Sequence, residues 1–179
     1  LDARVLSALA RWPDVPAVAG WLRLDRRGRW LLRGEPIGHR GLLDFIARHY
    51  GHDGHGRWFL QNGPQRVLVD LDYTPWVHRL DGAGRLRTHT GLAVGALAGA
   101  WLDEDGALLL AGAHGVGVVD DRDLAALAAA LVDERGAPAS DPGTAAGLRW
   151  GGATVPLGRL RVAEVAGRFG FVPHPETDR

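Results

Sequence analysis

The chain has no cysteine, no methionine and no lysine, and its only serines are Ser7 and Ser140. Each absence removes a class of chemistry. Without cysteine there is no thiol nucleophile, no disulfide and no thiolate metal site. Without lysine there is no Schiff base, no attachment point for pyridoxal phosphate and no P-loop lysine. Ser7 falls in a predicted terminal helix and Ser140 in a Pro/Gly-rich linker. Neither stands in a G-x-S-x-G elbow, which argues against a serine hydrolase. Long apolar runs are also missing. The longest, 92–102, is cut by Asp103-Glu104-Asp105, well short of the roughly 20 residues that span a bilayer. The start, Leu1-Asp2-Ala3-Arg4, lacks the layout of a signal peptide, and the true start is expected upstream because the chain begins without Met. The expected location is cytoplasmic, with no membrane partner.

Basic excess is absent too. The 21 basic residues, all arginine, balance 21 acidic ones. A general nucleic-acid binder usually carries a positive excess, so that class is disfavoured. What is present is an ordinary globular mixture, 46% hydrophobic and 23% charged, in which a single compact domain over 1–179 is expected. Abundant Ala, Gly, Arg, Leu and Pro fit a GC-rich genome.

Asp2 can cap a helix over 1–12 that Pro13 and Pro16 stop. Residues 20–32 read as a β-hairpin around a type I turn with Asp25 first and Gly28 fourth. A helix near 39–50 follows, with Leu42, Leu43, Phe45, Ile46 and Tyr50 as its apolar stripe and Gly51 at its end. Arg57 to Leu60 and Val67 to Leu71 read as strands around the turn 62–65. The second half repeats the plan. Residues 102–110 match 24–32 at an offset of 78. A helix near 121–134 matches the first at 82, through Arg40-Gly41-Leu42 against Arg122-Asp123-Leu124. Arg149-Trp150 and Pro156 match Arg57-Trp58 and Pro64 at 92. The predicted fold class is therefore α+β: two tandem, interlocking β-hairpin–helix–β repeats sharing one core, repeat one at about 20–80 and repeat two at about 98–160. Residues 137–147 read as a mobile linker loop, 157–169 as either strand or helix, and the tail from Pro173 as loose.

Trp30-Leu31-Leu32-Arg33-Gly34-Glu35-Pro36-Ile37, followed by a helix, resembles the W-x-x-x-G-x-P-I segment of bacterial domain of unknown function 1285. Leu71-Asp72-Tyr73-Thr74-Pro75-Trp76 resembles that family's later V-E-D-A-P-F string, with Tyr73 in place of its second acid. The match is clearest over the first half, which also fits a sister family. The resemblance implies an α+β fold of tandem structural repeats and a ligand-sensing or signalling role without established catalysis. It supplies no catalytic residues.

Two groups of residues carry candidate chemistry. Gln61, Asn62, Gln65 and Arg66 offer amides and a guanidinium that suit a carboxylate, a phosphate or a peptide backbone. Trp76, His78 and His89 could wall a pocket with them. The alternative reading of the first group is a plain hairpin turn. His49, His52, Asp53 and His55 have side chains that bind zinc or nickel. Their alternative reading is a polar loop at a helix C-terminus. Gly112-Ala113-His114-Gly115-Val116-Gly117 evokes a dinucleotide loop, but Asp120 stands where G-x-G-x-x-G needs its third glycine. The leading expectation is a non-enzymatic binding or regulatory protein, needing no cofactor. A cleft between the repeats would receive a small anionic ligand or a protein segment. The alternatives are a metal-dependent hydrolase using His49, His52, His55 and Asp53 or Asp72, and a structural protein whose exposed tryptophans make it a homo-oligomer.

Overall fold

The computed structural model describes residues 17–177; the helix expected over 1–12 lies outside them. The fold is mixed α+β, mostly strand, with two sheets and three short helices. The chain divides into two compact units. Unit 1 comprises 17–25, 29–73 and 170–177 of the described residues, and unit 2 comprises 26–28 and 74–169.

Unit 1 runs β1 (Ala17–Leu24), β2 (Trp30–Leu32), β3 (Glu35–Pro36), α1 (Arg40–His49), β4 (Tyr50–His52), β5 (Trp58–Asn62) and β6 (Gln65–Leu71). Its strands lie in the order β3-β2-β1-β6-β5-β4. The hairpins are antiparallel, and β6 returns beside β1 in parallel. Side chains alternate as period-2 strands require: Leu22 and Leu24 in β1 and Val67, Val69 and Leu71 in β6 are buried. In α1 the i, i+4 pair Leu42 and Ile46 is buried. The helix ends at His49, before the expected Gly51, because Tyr50 is drawn into pairing with Leu60. The tail is not loose. The Leu71 amide donates to the Pro173 carbonyl at 2.8 Å, and the Val172 amide to Gly56 at 2.9 Å.

Unit 2 opens with β7 (Trp76–Leu80) and β8 (Leu86–Thr88). There follow β9 (Gly99–Asp103), β10 (Leu108–Gly112), β11 (Gly115–Val119), a 3-10 turn (Asp121–Asp123), α2 (Leu124–Ala128), β12 (Leu131–Val132), β13 (Gly147–Trp150), β14 (Ala153–Leu160) and α3 (Val162–Phe169). The sheet order is β12-β13-β14-β9-β10-β11-β7-β8. From β9 to β14 this is the path of β1 to β6: three antiparallel strands, a helical segment, three antiparallel strands, and the last beside the first in parallel. Leu102, Leu110, Leu127, Leu148 and Val155 form the centre of a core drawn from unit 2 alone. One core common to both repeats was expected; the residues of this cluster all belong to unit 2.

Strand registers correct two of the three sequence matches. Leu24 pairs with Trp30 as Leu102 pairs with Leu108, which keeps the offset of 78. Leu22 faces Val69 and Ala100 faces Leu157, so β6 matches β14 at 88 rather than 92. Asn62 and Gln65 flank one hairpin turn as Trp150 and Ala153 flank the other. Tyr50 opposite Leu60 corresponds to Leu131 opposite Leu148. The helix therefore shifts by 81 rather than 82, which sets Ile46 against Leu127, each 1% exposed. Residue identity misled because Arg-Trp and Arg-x-Leu recur by chance, whereas pairing is fixed by backbone hydrogen bonds. The second helix also stops at Ala128 instead of near Glu134, because Leu131 and Val132 leave it for β12.

One turn recurs throughout. Asp25-x-x-Gly28, Asp53-x-x-Gly56, Asp81-x-x-Gly84, Asp103-x-x-Gly106 and Asp133-x-x-Gly136 each place glycine at φ between 72° and 82°, the left-handed residue of a type I turn with a bulge. In every case the aspartate carboxylate accepts the amide four residues on. The 112–118 segment is the end of β10, a two-residue turn and β11, not a nucleotide loop. Of 157–169, the first part is strand and the rest helix α3. Within the 137–147 linker the Arg159 guanidinium donates to the carbonyls of Pro142, Gly143 and Ala145 at 2.8, 3.1 and 3.2 Å, which ties the loop to β14.

Candidate binding site

The residues singled out from sequence fall into two sets, one in each unit. In unit 1, Gln61 turns its amide into its own hairpin, donating to the Gly63 carbonyl at 2.6 Å. Asn62 and Gln65 close the turn opposite one another. The exposed Arg66 lays its guanidinium over the Phe59 ring at 4.5 Å, where cation–π attraction holds it. The His49 ring stacks on Phe45, centroids 4.3 Å apart, and its Nδ1–H donates to the Phe45 carbonyl at 2.8 Å. His52 leans on Trp58 at 4.8 Å. Asp53 is the cap of its turn, accepting the His55 and Arg57 amides and the Arg57 Nε–H at 2.9, 3.1 and 2.8 Å. His55 contributes that amide from the turn itself. Asp72 pairs with Arg23. The four residues expected to ligate zinc or nickel are thus not brought together; among the described residues no group of three or more His, Asp or Glu side chains could hold a metal ion.

In unit 2, Trp76 packs against His89 and His114, and His78 stands two residues further along β7. The Trp76 indole N–H donates to the His114 carbonyl at 2.7 Å, and its ring lies 5.7 Å from that of His89 and 6.0 Å from that of His114. His89 Nδ1 accepts the Val77 amide at 3.2 Å, so a neutral His89 carries its hydrogen on Nε2. The Thr74 hydroxyl donates to the Trp76 carbonyl at 2.7 Å and accepts the Val118 amide at 2.9 Å, fixing β7 against β11. His78 is 1% exposed. Burial, with the nearby His114 adding to it, lowers its pKa to about 4, so the imidazole is neutral near pH 7. Gly117 leaves room for it: a Cβ there would lie 2.6 Å from His78 Nε2. The cluster is a packed seam of the sheet.

Open space lies elsewhere in unit 2. One cavity, of about 380 Å³, has Val118, Val119 and Leu124 as its apolar floor and Arg26, Arg27, Asp105 and Asp121 around it. Arg27 donates to Asp121 at 2.6 Å, and the Arg26 guanidinium lies 3.7 Å from the buried Asp103 carboxylate. A second cavity, of about 250 Å³, is lined mainly by apolar side chains, with Leu102, Leu108, Leu124, Ala128, Leu131 and Pro142 among its walls. Gly106 and Leu124 line both. None of these lining residues stands out as a motif. The only signal was the pair-by-pair difference between the two halves, with Leu108 where the first half has Trp30.

The class defined by this architecture is a two-sheet α+β fold found in solved structures. Over 88% of this chain and 95% of the other, it is similar to a DUF1285 family protein from Silicibacter pomeroyi DSS-3, with a TM-score of 0.56 and 20% identity. A DUF1285 family protein from Shewanella baltica OS155 gives a TM-score of 0.44 and 15% identity over 57% of this chain and 85% of the other. The similarity read from the W-x-x-x-G-x-P-I segment thus holds at the level of fold. By sequence the chain belongs to the family DUF2944, described as "Protein of unknown function (DUF2946)", whose model matches residues 1–176. No curated protein matches it.

Proposed function

We propose that the chain is a non-enzymatic binding or regulatory protein made of two copies of one strand-helix-strand unit, and that a small amphipathic molecule binds in the adjoining cavities of unit 2. The identical strand path of β1–β6 and β9–β14, with parallel closure of last strand on first, supports the copying. The use of acidic and imidazole groups supports a binding role. Asp25, Asp53, Asp81, Asp103 and Asp133 are engaged as turn caps, and His78 is held dry and neutral. The observation that carries the reading is the pair of cavities sharing Gly106 and Leu124, one with guanidinium and carboxylate groups, the other apolar. Ligand sites combine apolar walls with a few polar groups in this way.

A fragment library screened by NMR against the labelled full chain tests this. Binding fragments are expected to shift resonances of Gly106, Val118, Val119 and Leu124. Arg27→Ala should weaken those with an anionic or carbonyl end about tenfold or more, as loss of a charge-assisted hydrogen bond does. Shifts confined to the 61–66 turn would move the site to Gln61, Asn62, Gln65 and Arg66 and overturn this placement.

A further inference from the structure

The apolar cavity of unit 2 is walled in part by Leu108 and Leu131, two residues that backbone pairing matches to members of an aromatic stack in unit 1. In unit 1 the Trp30 indole meets Tyr50 edge to face, centroids 5.0 Å apart, and Tyr50 packs on Trp58 at 4.8 Å. Trp30 and Trp58 are 4% and 6% exposed. Backbone pairing gives each ring its counterpart. Trp30, opposite Leu24, matches Leu108, opposite Leu102. Tyr50, opposite Leu60, matches Leu131, opposite Leu148. Trp58, at the offset of 88 set by β5–β6 and β13–β14, matches Ala146.

All three positions lose their rings. The facing helix does not grow to compensate: Ile46 is matched by Leu127, of the same size, and Ala47 by Ala128. The space stays open as the 250 Å³ cavity, with Leu108 and Leu131 in its wall. The pocket is open on one side: Leu102, Leu108 and Leu131 are buried at its base, while Gly106, Ala125, Ala128 and Pro142 are exposed at its rim. The wall nearest the 137–147 loop is Pro142, and the Arg159 guanidinium fixes that loop through three carbonyls. The wall is therefore preformed.

We infer that unit 2 binds a small uncharged aromatic molecule in this cavity, its ring replacing the rings that Trp30 and Tyr50 supply in unit 1. This deepens the proposed function and rests on its matching of the two units. Among the described residues no carboxylate or guanidinium lines this compartment, so a charged ring would lose water without gaining a partner, and the recognised group is neutral.

Indole, as probe, decides the matter. Added to the full chain carrying ¹³C-labelled leucine methyl groups, it should bind saturably and shift Leu108, Leu124 and Leu131. Leu108→Trp restores the residue of unit 1. It should fold with an unchanged or raised Tm and weaken indole binding at least tenfold. Ala128→Leu, which narrows the cavity from the helix side, should weaken binding as well. If wild-type protein gives no saturable shift of those methyl groups at millimolar indole, the inference fails. Binding at those methyl groups that both variants leave unchanged also sinks it. A Leu108→Trp protein that loses stability while Ala128→Leu blocks indole would keep the cavity and overturn the matching of the two units.

Discussion

The two faces covered by α1 and α2 show how one strand path can be closed in two ways. In unit 1 the helix runs ten residues, and Trp30, Tyr50 and Trp58 fill the space beside it ring against ring. In unit 2 the α-helix is five residues long, and leucine and alanine stand in the corresponding places. Backbone pairing does not require the rings, since it is satisfied in both. What changes is how much of the interior the side chains themselves occupy. The same order of strand pairings can therefore be covered by side chains of very different volume.

The largest expected effect breaks the filled face. Trp58→Ala imposes on unit 1 the residue that unit 2 has at Ala146. It should cost about 3–5 kcal/mol, as for other buried aromatic truncations, read by urea denaturation. A cost below about 1 kcal/mol would mean that the rings do not hold unit 1 together.

The next effect should come from pH and concern unit 2. Its His78 is buried, whereas His39, His49, His52, His55 and His174 in unit 1 are exposed. Because the folded-state pKa of His78 is depressed to about 4, the unfolded chain binds the extra proton first as pH falls. Stability should be full above the ordinary value near 6.5, decline between there and about 4, and level off below, a total of roughly 3 kcal/mol. Amide exchange at these pH values should speed up in β7 and β11 ahead of unit 1. His78→Gln should flatten the dependence, and an unaltered slope in that variant would assign it to other groups.

Matched turns sharpen the comparison further. A Cβ on Gly56 would collide with the Gly170 carbonyl oxygen, whereas one on Gly136 would meet nothing within 4 Å. Both glycines have positive φ, so alanine at either should cost roughly 1 kcal/mol in strain. Gly56→Ala should cost about 1–3 kcal/mol more for the clash; thermal unfolding of the two variants compares them directly. The smallest difference is expected between Asp53→Ala and Asp133→Ala. Both caps accept two turn amides, and Asp53 also takes the Arg57 guanidinium. Asp53→Ala should be the more destabilising by about 0.5–1 kcal/mol. Equal losses would show that the guanidinium adds nothing.

Much of this was legible in the residues. The Asp25–Gly28 turn, the helix over Leu42 and Ile46, and the strands around residues 62–65 follow from local chemistry. So does the similarity carried by Trp30, Gly34, Pro36 and Ile37. The hairpins at 24–30 and 102–108 have equivalent pairings at the expected offset of 78, because each turn fixes its own register. The other two matches slipped, by one residue and by four, because identical side chains drew the eye where only pairing decides. Of the residues singled out, the rings of Trp76 and His89 lie against each other, since β7 and the nearby turn bring them together. Arg26, Arg27, Leu108 and Leu131 were passed over, because no spacing marks a residue that borders empty space.

Composition and local pattern by themselves determined the α+β class, the turns, the helix faces and the exclusion of thiol and lysine chemistry. These depend on groups within a few residues of one another or on groups that are missing altogether. The tertiary structure alone decided the return of β6 to β1 and of β14 to β9, the neutral burial of His78, and the space left beside Leu108 and Leu131. Each of these is a property of atoms far apart in the chain, and a void is a difference in volume among them that no single segment encodes.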